Sequence, residues 1–308
     1  VNQRILILGG TGFIGSSLSQ YLKAGNETRI YSPSAQQIDP ISGVSGYDGF
    51  IEDFSSLEPH LEWATIIIHL VSTSNPKSSL KNPFNDAKSN LLPLISILEY
   101  LKNHTDKKLV FCSSGGAVYG MGNGRVFSES DPKAPISSYG IVKSTMEEYI
   151  DYYQRLYGVN ALVIRPSNIY GAKSRSLGKQ GLISTLVEHT LVGKTTALWV
   201  PLTTSKDYLY IVDFVKAVKM LIESDAIGMF NIASGHNCTI ADLLQVVEKV
   251  LRIKPKIRTE IGDFSKIDSP VKLDIQKLQM LTNWKPETSL LEGVEMVANE
   301  FKIQHGDI

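Results

Sequence analysis

The chain has 308 residues, 31 Lys and Arg balanced by 31 Asp and Glu, and 43% hydrophobic content, which suits a compact protein of one or two domains. Zero net charge gives no general reason to bind nucleic acid or an anionic membrane. Two cysteines in 308 residues exclude a disulfide framework and point to a reducing cytoplasm.

No apolar run approaches the roughly 18 residues of a membrane span. The first residues show no charged-then-apolar leader, so no signal peptide is expected. The six histidines show no metal-ligand spacing, and no metal is expected. Along the chain, "RILILGG" (4–10) reads as a short strand and "GFIGSSLSQYLKAG" (12–25) as a helix with a glycine stop. "ETRIYS" (27–32) is a second strand, and "ATIIIHLV" (64–71) is apolar at nearly every position, as a buried parallel strand is. Residues 84–103 have helical spacing, with Pro93 expected to kink or break the helix. "KLVFCSS" (108–114) is a strand, 139–157 a long amphipathic helix and "ALVIRPS" (161–167) a strand.

This alternation predicts an α/β fold, a doubly wound parallel sheet of the Rossmann type. After about Gly171 the texture changes. Residues 172–205 are rich in Lys, Ser, Thr and Gly, with one helical patch at 181–192. "DYLYIVDFVKAVKMLIES" (207–224) reads as a strand entering a helix, "GMFNIAS" (228–234) as a strand, and 239–252 and 274–282 as helices. We expect a dinucleotide-binding domain over 1–171, with 207–234 returning to it, and a smaller C-terminal lobe from 172–206 and 235–308.

"LGGTGFIG" (8–15) lies between the first strand and the first helix. Gly9 permits the tight turn, and Gly12 lets backbone N–H groups approach a pyrophosphate at the positive helix end. Gly15 lets helix and strand pack closely. The strand–loop–helix context is what makes this pattern a dinucleotide signature. The place for an acidic residue on the NAD ribose holds Ser32, and the "PSAQQ" that follows has no cation for a 2′-phosphate. The reading favours NAD and leaves NADP open.

Tyr139 and Lys143 are four apart in "SSYGIVKSTMEEYI" and share a helix face. A phenol has an ordinary pKa near 10 and is a poor base. A neighbouring ammonium, or the positive ring of an oxidised cofactor, lowers that value. The pair can then take a proton from an alcohol or sugar hydroxyl.

"GGTGFIG", "HLVS", Asn90 in a helix, "SSGGAVYG", "YGIVK", "RPSNIYG", "KDYLYIVD" and "FNIASG" stand in one order. This set resembles the extended short-chain dehydrogenase/reductase family. Within it, the chain is similar to the nucleotide-sugar epimerase and dehydratase branch of the UDP-glucose 4-epimerase type. The resemblance spans nearly the whole chain. It implies a Rossmann domain holding NAD(P) and a small lobe over a nucleotide-sugar. On the cofactor side it implies Gly9, Gly12, Phe13 and Ile14 at the pyrophosphate, with Leu70, Val71, Asn90 and Pro166 along the dinucleotide. It implies Tyr139 as base, with Lys143 as its partner on the nicotinamide ribose. Asn168 is implied as a substrate contact, and Lys206 stands where an arginine usually grips the diphosphate.

Several positions depart from that pattern. Counting back from Val118-Tyr119-Gly120, the catalytic hydroxyl should fall at Gly115. The hydroxyls sit earlier, at Ser114, the first choice as catalytic and substrate contact, and at Ser113, the second. Gly116 and Ala117 occupy the places where dehydratases and decarboxylases keep acids, so reversible oxidation and reduction is the chemistry left. Phe50 replaces an aspartate beside the adenine, and Glu260 an arginine near the diphosphate, with Arg175, Lys179 and Arg258 as spare cations.

The preferred expectation is an NAD-dependent sugar-nucleotide 4-epimerase for surface polysaccharide, acting through a 4-keto sugar. An NADPH-dependent 4-keto-sugar reductase is the alternative, and a non-catalytic dinucleotide-binding sensor or scaffold is the reading from another class. The helices at 84–103 and 139–157 are expected to form a homodimer face, as they do in the family.

Overall fold

The computed structural model describes residues 2–37, 43–122, 124–171, 181–262 and 270–305. The first half runs β1 (Arg4–Leu8), α1 (Phe13–Leu22), β2 (Glu27–Ser32), β3 (Val44–Asp48), α2 (Phe54–Trp63), β4 (Ile66–His69), α3 (Pro76–Ser79), α4 (Pro83–Leu101) and β5 (Lys108–Cys112). Next come α5 (Gly115–Val118), β6 (Val126–Phe127), α6 (Ser138–Tyr157), β7 (Asn160–Pro166), β8 (Asn168–Tyr170), α7 (Leu182–Leu191), β9 (Thr195–Leu198) and β10 (Ser205–Tyr210). The chain continues through α8 (Ile211–Glu223), β11 (Gly228–Ile232), β12 (Asn237–Thr239), α9 (Ile240–Leu251) and β13 (Lys256–Thr259). It ends with β14 (Lys272–Leu273), α10 (Gln276–Thr282) and α11 (Leu290–His305).

Seven strands form one sheet in the order β11-β7-β5-β4-β1-β2-β3. All its pairs are parallel. Both faces are covered, which explains why β4, IIIH, is buried at every position. One layer packs α2, α4 and α6 through residues such as Leu57, Leu94, Leu98, Met146 and Ile150. The other packs α1 and α8 through Leu18, Leu22, Phe214 and Val218. This is the doubly wound fold expected from the strand–helix alternation. The order reverses between β1 and β4, so a crevice opens at their carboxyl ends, where such folds take their ligands.

Two expectations are corrected. Pro93 does not break α4, which is continuous from Pro83 to Leu101 with Pro93 buried inside it. Only the bond to the carbonyl four residues back is lost. Of the stretch 207–234, α8 packs on α1 and β11 extends the large sheet. β10, however, pairs with β8 and β12 in a separate three-stranded sheet. β9 with β13, and β6 with β14, make two further small sheets. Helix α11 packs on α7 and α9.

Candidate active site

The glycine loop leaves β1 at the crevice. Gly9 has φ +81°, and a Cβ there would stand 3.2 Å from Val71 N, so the chain ends after β1 and β4 approach at van der Waals range. A Cβ on Gly15 would lie 2.4 Å from Gly9 O, which fixes glycine at the helix–loop contact. Gly12 caps α1 without a side chain, and Phe13 and Ile14 open the helix. The first-turn N–H groups therefore face the crevice at the positive end of the helix dipole. These features fit a dinucleotide pyrophosphate.

Other residues read as cofactor contacts are held by the protein itself. Ser32 is buried and donates to Thr11 Oγ1 at 2.9 Å, tying β2 to the glycine loop. Asn90 is buried on α4, donates to Thr73 Oγ1 at 2.8 Å and accepts from Thr73 N at 3.0 Å. It fixes the segment after β4, where Leu70 and Val71 lie. Pro166 is buried at the end of β7. Phe50 is exposed, while nearby Asp53 caps α2 by accepting from Ser56 N.

Tyr139 and Lys143 lie on one face of α6, whose start is fixed by Ser137 Oγ accepting from Gly140 N. The Ser114 and Ser72 hydroxyls both act on the Tyr139 hydroxyl to lower its pKa, and Ser72 Oγ itself donates to Ser74 O at 2.9 Å. Its backbone N–H donates to Ser79 Oγ at 3.1 Å. Lys143 is buried, with Nζ donating to Cys112 O at 2.8 Å and standing 5.9 Å from the centre of the Tyr139 ring.

The sequence argument expected the ammonium to lower the phenol's pKa. In the protein alone the balance goes the other way. Desolvation pushes the Tyr139 hydroxyl up, and the Ser114 and Ser72 hydroxyls oppose the rise. Burial likewise pushes Lys143 down, against the fields of Cys112, Glu147 and Asp86.

The two candidate serines are placed differently. Ser114 caps α5 without a side-chain cap bond and lines a cavity of about 760 Å³ together with Gly116, Ala117 and Tyr139. Ser113 is buried just past the carboxyl end of the central strand β5, and its hydroxyl has no partner among the described residues. At Gly115 a Cβ would lie 2.4 Å from Leu273 Cδ1 and 3.0 Å from Arg165 O, so a side chain there would need the Leu273 side chain to move and the Arg165 carbonyl to give slightly. Gly116 is open, with nothing within 4 Å of an added Cβ.

The same cavity is bounded by Asn168, Lys206 and Tyr208 from the small sheet, by His189 of α7 and by β9. Asn168 donates to Asp207 O at 2.9 Å. The described lining contains no carboxylate. Arg258 pairs with Glu260; Arg175 and Lys179 lie outside the described residues. No group of His, Cys, Asp and Glu able to hold a metal occurs among the described residues.

Sequence reasoning missed four supports of this site. Ser72 follows β4 in "HLVS", yet nothing in that motif shows that its hydroxyl acts on Tyr139. Ser79 and Asp86 are the second and third; Asp86 is buried and accepts from Ser138 Oγ at 2.8 Å, joining α4 to the start of α6. The fourth is the buried ion pair of Arg165 and Glu147, at 2.7 and 3.0 Å, with Arg165 also donating to Tyr119 Oη at 2.6 Å. Glu147 continues the row Tyr139–Lys143 by one more turn, a spacing the sequence did display.

A model of the NAD-dependent epimerase/dehydratase family matches residues 5–233. A putative UDP-glucose 4-epimerase of Methanocaldococcus jannaschii is 31% identical over 314 residues, covering 97% of this chain and 98% of the relative. The dTDP-4-dehydro-6-deoxyglucose reductase of Escherichia coli is 27% identical over 310 residues, covering 97% of each. A crystal structure of Thermus thermophilus UDP-glucose 4-epimerase in complex with NAD superposes with a TM-score of 0.88 at 27% identity, covering 99% of this chain and 100% of that one.

Proposed function

The chain belongs to the NAD-dependent epimerase/dehydratase family, with NAD as its cofactor, and from that premise we propose that it is a sugar-nucleotide 4-epimerase. The observation that carries this reading is that Tyr139 and Ser114 line one cavity together with Gly116 and Ala117. A proton can be taken from a sugar hydroxyl there, while the described lining holds no carboxylate, and Gly116 and Ala117 stand where a dehydration would need acids.

Tyr139 removes the proton of the C4 hydroxyl, and Ser114 steadies the developing oxyanion and relays the proton. When bound, NAD supplies the acceptor and then the donor of the C4 hydrogen, and its positive ring favours the phenolate. Lys143, anchored on Cys112 O and 5.9 Å from the Tyr139 ring centre, would hold the nicotinamide ribose beside the phenol. Gly9, Gly12, Phe13 and Ile14 hold the pyrophosphate. Asn168 and Lys206 contact the sugar nucleotide, and the roughly 760 Å³ cavity leaves a 4-keto sugar space to present its other face. We read 172–206 and 235–308 as the substrate lobe, and a UDP-linked hexose for surface polysaccharide as the substrate.

No helix among the described residues is long and apolar enough to cross a membrane, which is consistent with the cytoplasmic location we propose. Exposed Ile141, Tyr149, Tyr152 and Leu156 make one stripe on α6, with exposed Leu92 on neighbouring α4. Such a stripe supports a homodimer through this face.

The Escherichia coli reductase relative favours one other reading, reduction of a 4-keto sugar by NADPH. The two separate in one experiment. The nucleotide released by denaturing purified protein is identified by mass spectrometry, and UDP-hexoses are added to native protein. Retained NAD and interconversion of a 4-epimer pair without added cofactor is the expected result. An empty protein that consumes NADPH with a keto sugar refutes the epimerase reading.

A further inference from the structure

Lys77 and Trp199, from elements far apart in the chain, meet beside the cavity that Pro76 and Trp199 line. Lys77 sits on α3, between β4 and α4, and Trp199 directly follows β9. The ammonium lies 3.2 Å from the centre of the indole ring. Pro76 and Trp199 both line the cavity that holds Ser114 and Tyr139, so the contact borders the site.

Each partner is anchored on its own side. Trp199 Nε1 donates to Glu260 Oε2 at 3.4 Å, and Glu260 N donates to Leu198 O at 2.7 Å. Arg258 pairs with the same carboxylate. Glu260, which stands where the resemblance placed an arginine on the diphosphate, thus steadies the indole. On the other side, Asn75 caps α3 with a reciprocal capping box, and Ser79 of α3 accepts the Tyr139 N–H. The cation–ring contact therefore bridges two elements that are each fixed, and one of them reaches the backbone of Tyr139.

We propose that Lys77 and Trp199 are positioning residues, a clasp that holds the β9 side of the cleft against α3 over a bound sugar nucleotide. The proposal rests on the reading of the cavity as a sugar-nucleotide site. Neither side chain touches the reacting hydroxyls of Tyr139 and Ser114. Loss of the clasp therefore weakens binding and leaves the chemical step largely intact.

The test uses the full chain with its NAD. UDP affinity is measured by calorimetry, and kcat and KM with UDP-glucose, for wild type, Lys77→Met, Trp199→Leu and the double variant. Lys77→Arg and Trp199→Phe are the conservative controls. Each disruptive single variant is expected to weaken UDP binding and raise KM about three- to tenfold, the worth of one partly exposed cation–π contact, with kcat within about twofold. The double variant is expected to be no worse than the weaker-binding single, since the partners share one contact. Lys77→Arg keeps the cation and should stay near wild type, and Trp199→Phe keeps a ring but loses the bond to Glu260, so it should retain function between wild type and Trp199→Leu. Additive losses, unchanged UDP affinity, or failure of the conservative pair to retain function overturns the clasp alone. A wild-type protein that neither binds UDP nor turns over a UDP-hexose overturns the sugar-nucleotide reading and the clasp with it.

Discussion

Ser114→Ala against Ser113→Ala separates the site residue from its neighbour. Ser114 and Ser72 both oppose the desolvation that raises the Tyr139 pKa and makes the phenolate harder to form. Removing Ser114 takes away one of those two and the only one of the pair that lines the cavity. Losing one positioned hydrogen-bond donor at a developing oxyanion costs about 10²–10³ in kcat, or about 2.7–4 kcal/mol. We expect Ser114→Ala to fall near the lower end, about 10²-fold, because Ser72 still opposes the rise in the phenol's pKa. Ser113 contributes a buried hydroxyl with no partner among the described residues, so deleting it removes an unsatisfied group. Its alanine variant should keep kcat within about twofold and hold or gain stability by up to about 1 kcal/mol. The assay is 4-epimer interconversion of a UDP-hexose at saturating substrate, with thermal midpoints as the fold control. Equal losses in both variants, or a Ser114→Ala enzyme with most of its kcat, would refute the assignment of Ser114.

The protein should lose stability in acid through His69. This residue is fully buried, and burial lowers its pKa from 6.5 to about 3. A depressed folded pKa gives stability that is present above 6.5 and lost as pH falls toward 3. The slope is at most about 1.4 kcal/mol per pH unit, and His69→Leu should flatten it in urea midpoints taken across that window. Glu147→Ala strands the Arg165 guanidinium in the interior and should cost about 3–5 kcal/mol in chemical denaturation, while a surface ion pair such as Arg155–Asp151 is worth about 1 kcal/mol or less on deletion. If the α6 stripe is the dimer face, Leu156→Glu with Tyr152→Glu should give a monomer by sedimentation, and an unchanged sedimentation coefficient counts against that face.

Much of the fold is legible in the sequence because parallel α/β proteins write it in local patterns. Uniform burial of β4 produces "IIIH", and the helix–strand contact at Gly15 demands a residue without a Cβ. The separate sheet of β10 is not legible, because a strand's partner is set by distant residues, here Asn168–Tyr170 and Asn237–Thr239. The continuity of α4 through Pro93 is a similar case. Burial in the α2–α4–α6 layer outweighs the loss of one helical bond.

The site divides along the same line. Tyr139 and Lys143 are neighbours by helix geometry alone, so spacing finds them. Their electrostatics are not local. Whether an ammonium four residues away acidifies a phenol depends on what else surrounds both groups. Here Lys143 donates to Cys112 O and lies 5.9 Å from the Tyr139 ring, while desolvation acts on the hydroxyl directly. The free protein therefore holds its base in the protonated form. The two serines limit the rise in its pKa, and the remaining shift toward phenolate must come from the charge of the cofactor once bound. That argument accounts for the departure at Gly115 as well. The hydroxyl needed beside Tyr139 is set by a contact in space. Leu273 and the Arg165 carbonyl crowd the space a side chain at 115 would use, while Ser114, at the turn into α5, lines the same cavity as Tyr139, which is why Ser114→Ala is the variant that tests the assignment.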